Sequence, residues 1–171
     1  MRELQVNLKQ EVTRIDAIKI MNWMENNEVT RYLNELTNIT SEIRHAIERV
    51  NMLVMTHLFN RNGSFYIIST DQNHTVGFLK LVKKASDTEI VIVIGDKNNW
   101  GHGLGKKAIH KGLSLAFFEW RVPRVIAKID PGNARSIKAF KRSGFVLDKE
   151  TPHLMHYSIT MDDYIKNIIA K

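Results

Sequence analysis

The chain has 171 residues, 43% of them hydrophobic, and carries 25 lysines and arginines against 18 acidic residues for a formal charge of +7. That length supports one domain with its own core, expected to span residues 1–171, and the positive charge favours anionic partners, nucleic acid among them. Cysteine is absent, which excludes a disulfide framework, a thiol nucleophile and cysteine-bound zinc, and without an apolar run of about 18 residues or a basic-then-apolar leader the expectation is a soluble cytoplasmic protein.

From the N-terminus, Glu3 to Lys9 alternates Leu4, Val6 and Leu8 and reads as a first strand. From Thr13 the apolar set Ile15, Ile18, Ile20, Met21, Trp23 and Met24 recurs at helical intervals, with Thr13 as cap, Asp16 three positions on, and Asn26-Asn27 as the end. Thr40 or Ser41 opens a second helix whose stripe Ile43, Ala46, Ile47, Val50, Leu53, Val54 and Leu58 stops before Asn60-Arg61-Asn62-Gly63. Phe65 to Thr70 and Val76 to Lys83 read as a hairpin around Asp71 to His74, and Glu89 to Ile94 as a fourth strand. A helix up to Trp120, a strand from Arg124 to Asp130, a helix from Asn133 to Gly144, another strand, a last strand near Leu154 to Met161 and a short terminal segment complete the chain. No repeat or low-complexity tract interrupts it.

The informative stretch joins the fourth strand to its helix. The β-branched run ends at Gly95, a polar turn follows, and alternating Gly101, Gly103 and Gly105 open the helix. Glycines so spaced let successive backbone N–H groups face one concavity, to which the helix start adds partial positive charge, so the loop suits phosphate. A Walker loop is excluded because Gly105-Lys106-Lys107 lacks the following hydroxyl. A dinucleotide fingerprint is excluded because the glycines read Gly-x-Gly-x-Gly and lie mid-chain rather than on a first strand.

Trp100-Gly101-His102-Gly103-Leu104-Gly105 resembles the pyrophosphate loop of the GNAT superfamily of acyl-CoA N-acyltransferases, Arg/Gln-x-x-Gly-x-Gly/Ala, with Trp in first place. The Trp-Gly-x-Gly form is similar to the branch containing the ribosomal-protein N-terminal acetyltransferases. Asn133-Ala134-Arg135-Ser136-Ile137 through Gly144-Phe145 resembles the family's Asn-x-x-Ser/Ala-Ile helix with its Gly-Phe end, and Trp23 to Leu33 resembles its Trp-Leu-Asn-Asp-Pro-Glu-Val-Thr-Arg-Tyr-Leu acceptor wall, with Asn27 for the proline. The resemblance is close over about Glu89 to Asp148. It implies an α/β fold of the GNAT type: a mixed, mostly antiparallel sheet of six or seven strands flanked by helices and splayed between strands 4 and 5.

The resemblance further implies acetyl transfer from acetyl-CoA to a primary amine, a protein N-terminus or a small molecule, by direct attack in a ternary complex of a monomer or homodimer. Cofactor contacts are then expected from Ile92, Val93 and Ile94, from Trp100, Gly101, His102, Gly103, Leu104, Gly105 and Lys106, and from Asn133, Ser136 and Phe140. Lys107, Lys138, Lys141 and Arg142 are further cations within reach of coenzyme A phosphates, or a solvated helix face. Glu89 is the expected base. Phe140 stands where many relatives carry a tyrosine acid, leaving Tyr157, His156, water or no dedicated acid for the thiolate. Glu28, Arg31 and Tyr32 are expected at the acceptor. No metal is expected, because His102, His110, His153 and His156 share no ligand spacing. Two rival classes are a silent acyl-CoA sensor, which needs no base, and a nucleic-acid module, against which the lack of aromatic–basic interleaving on one strand face argues.

Overall fold

The computed structural model describes residues 3–33, 37–49, 51–61 and 63–171; Val50, Asn62 and the Thr40 side chain lie outside the described part. β1 (Val6–Lys9) leads to α1 (Arg14–Glu25), α2 (Asn27–Thr30), α3 (Thr37–Arg49) and α4 (Thr56–Phe59). β2 (Ser64–Thr70), β3 (Thr75–Lys84) and β4 (Asp87–Ile94) form an antiparallel meander, α5 (Leu104–Ser114) crosses to β5 (Arg124–Ile129), and α6 (Ala134–Arg142), β6 (Val146–Glu150), β7 (Met155–Thr160) and α7 (Met161–Ile169) follow. The sheet has seven strands in the order β1-β2-β3-β4-β5-β7-β6, with β4 and β5 parallel. None of the described helices is long and apolar enough to cross a membrane.

β2, β3 and β4 divide their side chains between two cores, as the two-residue period demands. Phe65, Ile67 and Val93 join Ala17 and Ile20 of α1, Ile43 of α3 and Met55, which precedes α4. Tyr66, Ile68 and Ile90 join Leu104, Ala108, Ile109 and Leu113 of α5, Phe140 of α6 and Tyr164 of α7.

Several local expectations change. The Thr13–Asp16 capping box forms, with each side chain accepting the other's backbone N–H at 3.1 Å. Asp16 also accepts the Thr75 hydroxyl at 2.8 Å, which turns this face of α1 inward. Ala17 and Ile20 are therefore buried, and Ile15 is 70% exposed rather than part of the inner stripe. The second helix does not run to Leu58. Its chain leaves helix after Arg49 because the Arg14 N–H donates to Leu53 O at 2.9 Å and the Met55 N–H to Val12 O at 2.7 Å. Those bonds satisfy the start of α1 from a segment distant in sequence, and they leave Leu53 on the surface. The helix expected to reach Trp120 ends in a π-helical turn, Leu115–Glu119, and the terminal segment is a helix capped by Thr160, whose Oγ1 accepts the Asp163 N–H at 3.2 Å.

The feature that positions the site is the parting of β4 from β5. They pair only at Thr88↔Val125 and Glu89↔Ile126. The closed end is clamped by Arg124, which donates to both Asp87 oxygens at 3.0 and 2.7 Å and holds the Asp87 carboxyl below its usual range. Beyond Glu89, β4 stays with β3 as far as Gly77↔Ile94 while β5 stays with β7 as far as Ile129↔Met155, so the two diverge.

Candidate functional site

A cavity of about 340 Å³ occupies this divergence. Its walls are the open edge of β4, the loop and first turn of α5, the start of α6, and α2 with the residues after it. The Gly95 N–H donates to Val76 O at 2.9 Å, and by the alternation of an antiparallel pair Val93 and Val91 turn their backbone groups to β3 while Ile94 and Ile92 turn theirs to the gap. The Ile94 carbonyl is taken by the Trp100 indole N–H at 2.6 Å. The expected backbone contact is thus sharpened: Ile92 and Ile94 face the gap with their main chain, while Val93, which also lines the cavity, pairs its own with β3.

Gly101 (φ 80°) and Gly103 (φ 76°) adopt left-handed backbone, and a Cβ built on either would meet nothing within 4 Å. Gly103 is the N-cap of α5 and offers no side-chain acceptor to the helix's first amides. Uncapped N–H groups facing an empty cradle are what an anion at a helix start requires. Around it Lys106, Arg135, Lys138 and Arg142 line the cavity, and among the described residues none of them is in an ion pair. Lys107 points elsewhere, to Glu3 at 2.9 Å and the Leu4 carbonyl, and Lys141 lies off the wall.

The structure brings Glu28, Tyr32, Ile92, Val93, Ile94, Trp100, Gly101, Gly103, Leu104, Gly105, Lys106, Asn133, Ser136 and Phe140 to this cavity. Asn133 is held at the wall as the N-cap of α6, its Oδ1 accepting the Ser136 N–H at 3.2 Å. Phe140 packs edge-on to Phe145 at 4.9 Å and is 2% exposed, so it contributes core as much as wall.

Glu89, Tyr157, His102 and Arg31 do not border the cavity. Glu89 sits on the last paired rung of β4 and β5, with its carboxylate 3.7 Å from both the Lys84 and Lys128 ammoniums, the pairing a buried charge needs. The Tyr157 phenol is fully buried on β7 with its hydroxyl unpartnered, and burial pushes its pKa up. It has no line to a bound ligand. A Tyr157→Phe chain is expected to keep its turnover and to melt at or above the native temperature, because an unsatisfied buried hydroxyl is removed; a tenfold fall in kcat would restore the phenol as an acid. His102 is exposed at the loop tip, and the Arg31 guanidinium lies over the Tyr32 ring at 5.5 Å.

Arg135 was not among the sequence expectations. Its guanidinium stacks on the Trp100 indole, 3.4 Å from the ring centroid, so the loop after β4 and the helix after β5 are rejoined across the gap by one cation–aromatic contact. A basic residue two places after the helix-capping asparagine was the available signal, but the partner indole lies 35 positions earlier and only the fold unites them.

Residues 8–146 match the family model described as the acetyltransferase (GNAT) domain. The chain is 31% identical over 143 residues to an uncharacterised N-acetyltransferase, p20, of Bacillus licheniformis, covering 79% of each chain. The backbone superposes on the Vibrio cholerae spermidine N-acetyltransferase, crystallised with CoA and spermine, with a TM-score of 0.75 at 16% identity over 94% of this chain and 98% of that one. It superposes on aminoglycoside acetyltransferase AAC(6′)-Ib, crystallised with paromomycin and acetyl-CoA, with a TM-score of 0.74 at 13% identity over 96% and 97%. The splayed strands, the glycine loop and these matches agree: the chain belongs to the GNAT family of acetyltransferases.

Proposed function

We propose that the chain, as one domain over residues 1–171, transfers acetyl from acetyl-CoA to a primary amine by direct attack in a ternary complex. The observation that carries this reading is the join of an uncapped glycine loop, ringed by cations that are in no ion pair among the described residues, to the edge of β4 that turns Ile92 and Ile94 away from β3. The loop amides and the ring of cations would hold the phosphates. The open edge of β4 would take the pantetheine arm as an added strand, with the Ile92 or Ile94 N–H donating to the thioester oxygen as it gains charge. The amine lone pair forms the C–N bond, the C–S bond breaks, and the sulfur leaves as thiolate while the amine proton passes to water.

In this reading no side-chain acid is required, and Glu89 serves the fold. A Glu89→Gln chain is expected to keep kcat within about threefold and an unchanged pH–rate profile, while melting lower because Lys84 and Lys128 lose their buried partner. Loss of the acidic limb of that profile would instead make Glu89 the base, acting through water. The Trp-Gly-x-Gly loop leads us to favour descent from the ribosomal-protein N-terminal acetyltransferase branch, with cytoplasmic action.

The test is calorimetry with coenzyme A and acetyl-CoA, then thiol release across an amine library. Binding with no release from any amine would support a sensor. Steeply salt-dependent DNA or RNA binding without affinity for coenzyme A would support the nucleic-acid class.

A further inference from the structure

α6 has nine residues, of which four are cationic and none acidic. Arg135, Lys138 and Arg142 stand at i, i+3 and i+7, so they form one stripe of the helix, and all three line the cavity. Lys141 has the same charge but lies off that wall. Neighbouring like charges on a helix repel, and among the described residues no carboxylate within ion-pair distance relieves this stripe. A cation in the last turn is favoured by the helix dipole, which accounts for Lys141 and Arg142 as surface residues. It does not account for Lys138, a turn earlier, or for two cations placed together on the cavity wall.

Coenzyme A brings two kinds of phosphate. The diphosphate suits the uncapped α5 amides with Lys106 in the first turn of that helix, and Arg135 is held at the same loop by its stack on Trp100, 3.4 Å from the ring centroid. The 3′-phosphate hangs from the ribose as a monoester of about −1.5 to −2 charge at pH 7, the densest charge on the molecule. Lys138 and Arg142 stand about 4.5 and 10.5 Å beyond Arg135 along the helix axis, at about 1.5 Å per residue. They stay beside the loop's own helix, since Phe140, between them in sequence, is buried in one core with Leu104 and Ile109 of α5.

We propose that Lys138 and Arg142 form the subsite for the 3′-phosphate of coenzyme A, and that the chain thereby selects coenzyme A thioesters over their 3′-dephospho forms; this rests on the acetyl-CoA reading above. Arg142 offers a planar fork of N–H donors to two phosphate oxygens, and Lys138 a compact charge with no ion pair to give up. The dephospho form keeps the diphosphate, the adenosine and the whole pantetheine arm, so it lacks only the group these two cations serve.

The experiment is calorimetry with coenzyme A and 3′-dephospho-coenzyme A at about 0.1 M salt, where a screening length of about 10 Å leaves a direct contact intact. The native chain is expected to bind coenzyme A at least tenfold more tightly than the dephospho form. The double variant Lys138→Gln, Arg142→Gln should bring the ratio within about threefold by weakening coenzyme A alone, with the Kd for the dephospho form unchanged. Lys141→Gln removes a charge from the same helix and should keep the native ratio, which separates a local subsite from the field of the whole chain. In turnover the double variant should raise the KM for acetyl-CoA and keep kcat, because the lost contact is remote from the thioester. Equal native affinity for the two ligands, a native ratio kept by the double variant, or the same fall in Lys141→Gln would overturn the assignment. Absence of binding to either ligand would instead remove the acetyl-CoA reading beneath it, and the native titrations distinguish that failure from equal binding of both.

Discussion

A Gly103→Val chain is expected to bind coenzyme A at least about 100-fold more weakly than the native chain, about 2.8 kcal/mol, while remaining folded. Gly103 combines a positive φ of 76° with a cavity-lining position and open space where its Cβ would stand. The first property sets the folding cost: a β-branched residue in left-handed backbone costs about 1–2 kcal/mol, a drop of roughly 2–8 °C in melting temperature for a domain of this size. The second sets the binding cost, since the space the side chain fills is the approach of the phosphates to the α5 amides.

Asparagine tolerates left-handed backbone better than valine. Gly103→Asn should therefore melt close to the native temperature and still lose most of its coenzyme A affinity. Calorimetry and thermal melts on both variants separate strain from occlusion. If Gly103→Asn binds coenzyme A as the native chain does, the loop is not the phosphate cradle.

The loop was legible because its evidence is local. A β-branched run, a polar turn and glycines at alternate positions specify strand, cradle and helix start within a few residues of one another, and the positive φ at Gly101 and Gly103 is the conformation that spacing anticipates. The same holds for the Asn133 cap and the Thr13–Asp16 box, whose partners lie three residues apart. What escaped was whatever depends on a distant partner.

The break after Arg49 is made by hydrogen bonds to Val12 and Arg14, and helical periodicity through Leu58 carries no trace of them. The outward turn of Ile15 follows from Asp16 bonding to Thr75. Glu89 is expected from the resemblance to a family with a glutamate on strand four and Tyr157 as a stand-in acid, and neither ground says whether a carboxylate on β4 stands before or after the strands part, or which way a phenol on β7 points. The parting is where β4 keeps its antiparallel bonds to β3 and β5 keeps its own to β7, a competition settled between strands.

Trp100 is expected to be the side chain whose loss most damages the cofactor wall, because it makes one contact to each side of the gap. Its indole N–H holds the Ile94 carbonyl at 2.6 Å, fixing the end of the open β4 edge, and its face carries the Arg135 guanidinium 3.4 Å from the centroid. Trp100→Ala removes both and should weaken acetyl-CoA binding by roughly 30-fold, about 2 kcal/mol, the sum expected of one half-buried hydrogen bond and one partly desolvated cation–aromatic contact. Trp100→Phe keeps a face for Arg135 but has no donor, so it should lose the part belonging to the Ile94 carbonyl. Arg135→Ala keeps the donor and loses the stack.

The decisive quantity is the coupling in a cycle of Trp100→Ala, Arg135→Ala and the double variant. If Arg135 serves the ligand only from its seat on the indole, its removal should matter in the native background and hardly at all once Trp100 is gone, a coupling of about 1 kcal/mol or more. Strictly additive losses would mean that each residue touches the ligand independently and that the stack does not orient Arg135.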